Sequence, residues 1–232
     1  LEQHLTRLYH SAELIELEIP WSWEHVTAII YDVIGRNIYK HAAIRILVTG
    51  GESEDSILPI GKPMLAVLIS ELPERDMQRF AQGYKLITTA FQRIAPEAKT
   101  TNYLVAIRAL KEAARRHATD ALFVNKQGHV LEATRSNFFI FRGDTLVTPG
   151  KGILMGITRD VVLKLSRGRF PIEVRPILLE ELARADEAFI TSSSKEIMPV
   201  VQIDDITIGK GVPGTRTYEL EQWFIELVER GE

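Results

Sequence analysis

Lys99 stands between a loop and a helix, in the run Glu97-Ala-Lys-Thr-Thr-Asn-Tyr103. A lysine there is either solvated or, if partly desolvated, a neutral amine able to form a Schiff base. Glu132 sits in the strand-like run Val130-Leu-Glu-Ala-Thr134, among apolar neighbours. It is either an acid on a solvent face or a buried carboxylate facing a protonated ring nitrogen. Gly156-Ile157-Thr158 opens a helix, where backbone N–H groups, the helix dipole and the Thr158 hydroxyl can hold an anion. A plain glycine turn with a capping threonine fits the same residues. Ser192-Ser193-Ser194 lies between two apolar strands and can bind phosphate or carboxylate oxygens, or simply form a loop. Arg7, in the middle of the first helix, is a surface residue or a bidentate phosphate clamp. Arg135 is a solvated turn residue or a holder of a substrate carboxylate. The histidines at 4, 10, 25, 41, 117 and 129 show no ligand spacing, so no metal is expected.

These residues need a scaffold, and the chain of 232 residues is long enough to bury a sizeable core. At 45% hydrophobic and 25% charged it has an ordinary globular composition. The net charge of −3 argues against a dedicated partner that is nucleic acid or an acidic membrane. The absence of cysteine removes disulfides, thiolate metal sites and cysteine nucleophiles, and suits a cytoplasmic location. No apolar run approaches the ~18–20 residues of a membrane span.

Periodicity predicts a first helix with Leu5, Leu8, Ala12 and Ile15 on one stripe, stopped by Pro20. A second helix, capped by Ser22, carries Val26, Ile29, Ile30, Val33 and Ile34 on one face and closes at Asn37. Strands follow at 42–49, 64–70 and 85–91. Together these make a small α/β domain over residues 1–91, with 92–98 as the interdomain connection. The second domain, 99–232, opens with a helix at about 102–117 and continues as a meander of short strands. A helix at 156–167, a strand at 172–177, a short helix at 179–185, a strand–loop–strand over 187–204 and a closing helix at 213–230 complete it. The fold class is mixed α/β. No glycine-rich dinucleotide or P-loop motif is present, which argues against a doubly wound nucleotide-binding fold.

The candidates occur in a familiar order. HLTRLYHSAELI (4–15), EAKTTNYLVAIRALKEA (97–113), VLEATRSNFFIF (130–141), GILMGITRDVV (152–162) and DEAFITSSSKEIMPVVQID (186–204) resemble, in sequence order, five motifs of the class IV pyridoxal-phosphate enzymes. This family includes branched-chain aminotransferases, D-amino acid transaminases and aminodeoxychorismate lyases. The resemblance implies the two-domain fold type IV and a homodimer, with pyridoxal 5′-phosphate as cofactor. It also implies roles. Lys99 would be the Schiff-base lysine that moves the proton between substrate Cα and cofactor C4′. Glu132 would pair with the pyridine nitrogen. Arg7, Ile157, Thr158 and Ser193 would hold the phosphate, with Gly156 opening that helix. Tyr103 would hydrogen-bond the ring O3′, and Leu154 would pack on the ring.

Departures from the family pattern bear on substrate. Ala133 replaces the usual glycine after the glutamate. The loop after Thr49 is acidic, Gly50-Gly51-Glu52-Ser53-Glu54-Asp55, where D-amino acid transaminases commonly carry Arg-x-His. The first strand reads Ala43-Ile44-Arg45, which matches only the arginine of the branched-chain group's Tyr-x-Arg. Arg135, with Ser194 as a further substrate-binding candidate, is expected to substitute for these incomplete carboxylate traps. T-G-G-x-S (49–53), F-Q-R-x-x-P-E-x-K-T-x-N-Y (91–103) and A-x-R-S-N-F-F (133–139) are similar to a less common subgroup of D-amino acid transaminases. The expected substrates are therefore D-amino acids such as D-alanine and D-glutamate, with 2-oxoglutarate as acceptor. Branched-chain L-amino acid transfer, aminodeoxychorismate lysis and a non-catalytic fragment are the alternatives. Family members usually place several strands before the H-x-x-R-L helix, within which this chain begins, so the small domain is expected to be truncated at its start.

Overall fold

The computed structural model describes residues 1–72, 74 and 76–231, which divide into two compact units. The first comprises Leu1–Arg75 with Ala98–Thr100, and the second Asp76–Glu97 with Thr101–Glu232. Glu232, the expected end of the second domain, lies outside the described residues.

In the first unit, α1 (Glu2–Glu13) and α2 (Trp23–Gly35) precede a hairpin of β1 (Ala42–Thr49) and β2 (Met64–Glu71). α1 ends before Pro20 because the chain turns back on itself. Leu17 N–H donates to Ala12 O and Glu16 N–H to Glu13 O, with Glu16 left-handed at φ 55°. This is a Schellman closure with glutamate in the place glycine usually takes. Ile15 therefore leaves the expected apolar stripe and is exposed. Ser22 caps α2, its hydroxyl accepting from His25 N–H. Leu5, Val26 and Ile30 are wholly buried between the helices and one face of the hairpin, where Ile46, Leu65 and Val67 meet them. The intervening loop is pinned by Asp55, whose carboxylate accepts from the N–H groups of Ile57 and Leu58 and from the Ser53 hydroxyl.

The second unit begins with α3 (Met77–Gln82) and β3 (Tyr84–Ala90), followed by α4 (Leu104–Arg115). The meander is β4 (Asp120–Val124), β5 (His129–Ala133), β6 (Asn137–Arg142) and β7 (Thr145–Thr148), and α5 (Ile157–Ser166) comes next. β8 (Ile172–Val174), β9 (Ile177–Leu178) and a 3-10 turn (Leu179–Arg184) lead to β10 (Glu187–Ser192) and β11 (Glu196–Ile203). β12 (Ile206–Thr207) and α6 (Thr215–Glu229) finish the chain. One sheet runs β8-β7-β6-β10-β11-β3-β4-β5-β9, with β12 beside β11. β5 also pairs with β6 through Glu132 and Asn137, so six strands close on themselves. β6 is buried on both faces: Phe138 and Ile140 enter one core cluster, Phe139 and Phe141 another under α5 and α6. Strand alternation sends neighbours to opposite faces.

Two expectations are corrected. β3 was expected in the first domain, but it pairs in parallel with both β11 and β4 and so belongs to the second unit. Residues 92–97 go with it, while Ala98–Thr100 go with the first unit, so a boundary falls between Glu97 and Ala98. The expected strand 172–177 is two short strands that pair with β7 and β5 respectively. They part at Arg175-Pro176, where proline lacks the N–H a continuous ladder needs. α3 had no counterpart in the sequence reading; Asp76 caps it by accepting from Arg79 N–H.

Candidate active site

The closure of the strand ring at β5 and β6 creates a small polar cluster in the second unit. Glu132 ends the apolar part of β5 and is buried. Its Oε1 accepts from Arg93 Nε at 3.0 Å, and its Oε2 accepts from Leu154 N–H at 3.0 Å. A terminal guanidinium nitrogen of Arg93 donates to the Pro96 carbonyl. The Asn137 side-chain amide donates to Leu154 O at 2.7 Å. Leu154 is thus held at both its N–H and its carbonyl by the two residues that pair across the ring closure.

Gly156 follows and begins α5. A Cβ there would collide with Asn137 Oδ1, so only glycine lets the chain approach Asn137 this closely. Ile157 and Thr158 then form the first turn of α5, with their N–H groups at the positive end of the helix dipole and Thr158 buried. Arg159 is buried beside them and donates to Pro149 O.

The serines sit in the β10–β11 turn. Ser192 Oγ accepts from Lys195 N–H, and Lys195 Nζ reaches Asp120 Oδ2 at 2.6 Å. Asp120 is wholly buried at the start of β4, and its other oxygen accepts from Thr134 Oγ1 at 2.6 Å. One carboxylate therefore ties the turn that carries Ser193 and Ser194 to the turn that carries Arg135. Arg135 is exposed at the tip of the β5–β6 turn and, among the described residues, enters no ion pair. Tyr103 is half-exposed at the N-cap of α4, its carbonyl accepting from Ile107 N–H.

In the first unit, Arg7 and Ser11 lie one turn apart on the same face of α1. Burial lowers the pKa of Arg7 from its ordinary value, and the guanidinium remains cationic. Ser11 is buried, and its hydroxyl accepts from the backbone N–H of Lys99 at 3.0 Å. Ala98 is fully buried, so the Lys99 backbone is fixed while its side chain is exposed.

The structure thus groups Glu132, Leu154 and Gly156 in one cluster, and Ser193, Ser194 and Arg135 on turns sharing one anchor. Arg7 and Lys99 belong to the first unit, both through α1. Sequence reasoning did not single out Arg93, Asn137, Asp120, Lys195 or Ser11. Ser11 and Asn137 were within reach, since both stand inside quoted motifs. Arg93 and Lys195 also stand inside quoted motifs, although no role was read for either, and only Asp120 lies outside them all. Among the described residues no three His, Asp or Glu side chains gather to hold a metal ion, and no helix is long and apolar enough to cross a membrane.

Comparison with known proteins bears on this arrangement. Residues 1–203 match the family described as class IV amino-transferases. A putative branched-chain-amino-acid aminotransferase of Methanocaldococcus jannaschii is 33% identical over 238 residues, covering 98% of this chain and 81% of its own. A D-alanine aminotransferase of Listeria monocytogenes is 32% identical over 234 residues, covering 97% and 81%. The crystal structure of the T.th. branched-chain amino acid aminotransferase with pyridoxamine 5′-phosphate superposes with a TM-score of 0.91 at 29% identity, covering 98% of this chain and 78% of that one.

Proposed function

The chain belongs to the class IV aminotransferases, enzymes that transfer amino groups with pyridoxal 5′-phosphate, and from that premise we propose that it acts on D-amino acids such as D-alanine and D-glutamate, with 2-oxoglutarate as acceptor. The observation that carries the substrate reading is Arg135, an exposed guanidinium three positions after Glu132 with no ion pair among the described residues. An arginine in that state is free to take a carboxylate bidentately. Ser194 is its proposed companion.

The residues present suit the cofactor. Gly156 is the N-cap of α5, and the first N–H groups of that helix, at the positive end of its dipole, suit a phosphate. Glu132 has both oxygens engaged by donors, which suits an ionised acceptor for a ring N–H. When bound, the cofactor supplies an aldehyde that captures amines and a ring that accepts the electron pair left at the substrate Cα. In our reading Lys99 would supply the amine that holds the cofactor and the base and acid that moves the substrate Cα proton. Glu132 would pair with the ring nitrogen and keep it protonated. Arg7, Ile157, Thr158 and Ser193 would hold the phosphate, Leu154 would cover the ring and Tyr103 would bond its oxygen.

A second reading, branched-chain L-amino acid transfer, is favoured by Arg45 on β1. A half-reaction separates the two. The protein is loaded with pyridoxal phosphate and given D-alanine, D-glutamate, L-leucine or L-glutamate, and appearance of pyridoxamine phosphate is followed by absorbance. Conversion with the D-substrates alone, lost or slowed in Arg135→Ala, is the expected result. Conversion with the L-substrates alone sinks the D-amino acid reading.

A further inference from the structure

Glu132 does not stand alone, and the group that holds it has no role assigned so far. Arg93 puts Nε on Glu132 Oε1 and turns a terminal nitrogen onto the Pro96 carbonyl, three residues before Lys99 in the chain. Side-chain exposures of 21% for Arg93 and 9% for Glu132 place this ion pair largely out of water. We propose that Arg93 is a positioning residue: it fixes Glu132 as an oriented carboxylate for the ring nitrogen. The proposal rests on the reading of Glu132 as the partner of that nitrogen.

The physical argument has two parts. Burial disfavours the charged form of a carboxylate, and an adjacent cation with a hydrogen bond restores it. A protonated Glu132 would be a poor acceptor for a ring N–H, so a cation that keeps it ionised acts on the cofactor's electronics without touching the cofactor. The second part is geometric. The Leu154 N–H fixes Oε2 and Arg93 fixes Oε1, so the carboxylate plane is set by two bonds from separate segments. The guanidinium can serve Glu132 and Pro96 at once because its donors diverge within one rigid plane. Lysine has the charge without that fork.

The test uses pyridoxamine 5′-phosphate and its analogue with carbon in place of the ring nitrogen. Neither forms a covalent bond to Lys99, so binding reports the non-covalent contacts alone. Affinities are measured by fluorescence titration for the unaltered protein, Arg93→Gln, Arg93→Lys and Glu132→Gln. The expected result is that Arg93→Gln loses about tenfold in affinity for pyridoxamine phosphate, as for one charge-assisted hydrogen bond, and much less for the analogue. Arg93→Lys should recover part of that discrimination. A purely structural role would weaken both ligands equally, and that outcome in both Arg93 variants overturns the proposal. Failure of the underlying reading looks different: Glu132→Gln itself would then not distinguish the two ligands. The unaltered ratio in both Arg93 variants, with Glu132→Gln discriminating, overturns the proposal while leaving that reading in place.

Discussion

Replacing Lys195 by methionine removes the only cation paired with Asp120 among the described residues. Asp120 is fully buried and Lys195 is 16% exposed along its side chain. Without Lys195, the carboxylate keeps two neutral donors, Ala121 N–H and the Thr134 hydroxyl. An exposed ion pair contributes about 0–1 kcal/mol. Stranding one partner of a buried pair costs about 3–5 kcal/mol. Lys195 keeps some contact with water, so the low end, about 3 kcal/mol, is the expected loss. For a unit of this size that corresponds to a fall in Tm of roughly 6–12 °C. The assay is urea unfolding followed by near-UV circular dichroism, with thermal melts alongside. Combining Lys195→Met with Asp120→Asn removes both charges, and a double-mutant cycle should return at least about 1.5 kcal/mol of the loss. A single-variant loss below about 1 kcal/mol with no coupling would refute the reasoning, since the pair would then behave as a solvated one.

Three further outcomes follow from the same geometry. Gly156→Ala should cost about 1–2 kcal/mol, because the new methyl displaces the Asn137 side chain from Leu154 O; thermal melts should show the penalty shrinking in an Asn137→Ala background. Glu187 accepts from Arg216 N–H, Thr217 N–H and the Thr217 hydroxyl, and so caps α6 from a neighbouring strand. Glu187→Ala should therefore lower stability by about 2–3 kcal/mol in urea unfolding, more than an ordinary N-cap loss of about 1 kcal/mol. The N–H groups of Leu58 and Ile57, with the Ser53 hydroxyl, hold the Asp55 carboxyl below its ordinary value. A depressed folded value means the contribution is present above the unfolded pKa of about 3.9 and is lost as pH falls through the lower one. Pepsin cleavage between β1 and β2 should accordingly rise over that acid range, and Asp55→Asn should remove the dependence.

Much of the scaffold was legible because its signals are local. The Ser22 cap, the stripe through Val26 and Ile30 and the run of short strands from Ala121 to Thr148 depend on neighbours a few positions away. Where the reading failed, the deciding contact was distant or conformational. The helix at the start stops at a left-handed glutamate rather than at the proline, and nothing in the identity of Glu16 announces that conformation. β3 looks like any apolar strand; its place between β11 and β4 is set by partners that come later in the chain.

The site shows the same division more sharply. Gly156, Thr158, Glu132 and Lys99 could be proposed from the sequence because the reaction demands their types and the order of five motifs marks their positions. Arg93, Asp120 and Lys195 do their work on other residues, and chemistry places no demand on their position in the sequence. Arg93 meets Glu132 across 39 positions and Lys195 meets Asp120 across 75. Even inside a quoted motif, as Arg93 and Lys195 are, such a residue reads by itself as one more surface charge, for which solvation is the sound default. Burial overturns that default, because a charge out of water has to be met by an opposite one or by several donors. Supporting charges of this kind become visible when the fold brings strand ends together, here where β5 meets β6 and where β10 turns into β11. The turn holding Ser193 and the turn holding Arg135 share Asp120 as anchor. A change at that one buried acid should therefore reach both the proposed phosphate contact and the proposed substrate contact, while leaving the Arg93–Glu132 pair in place.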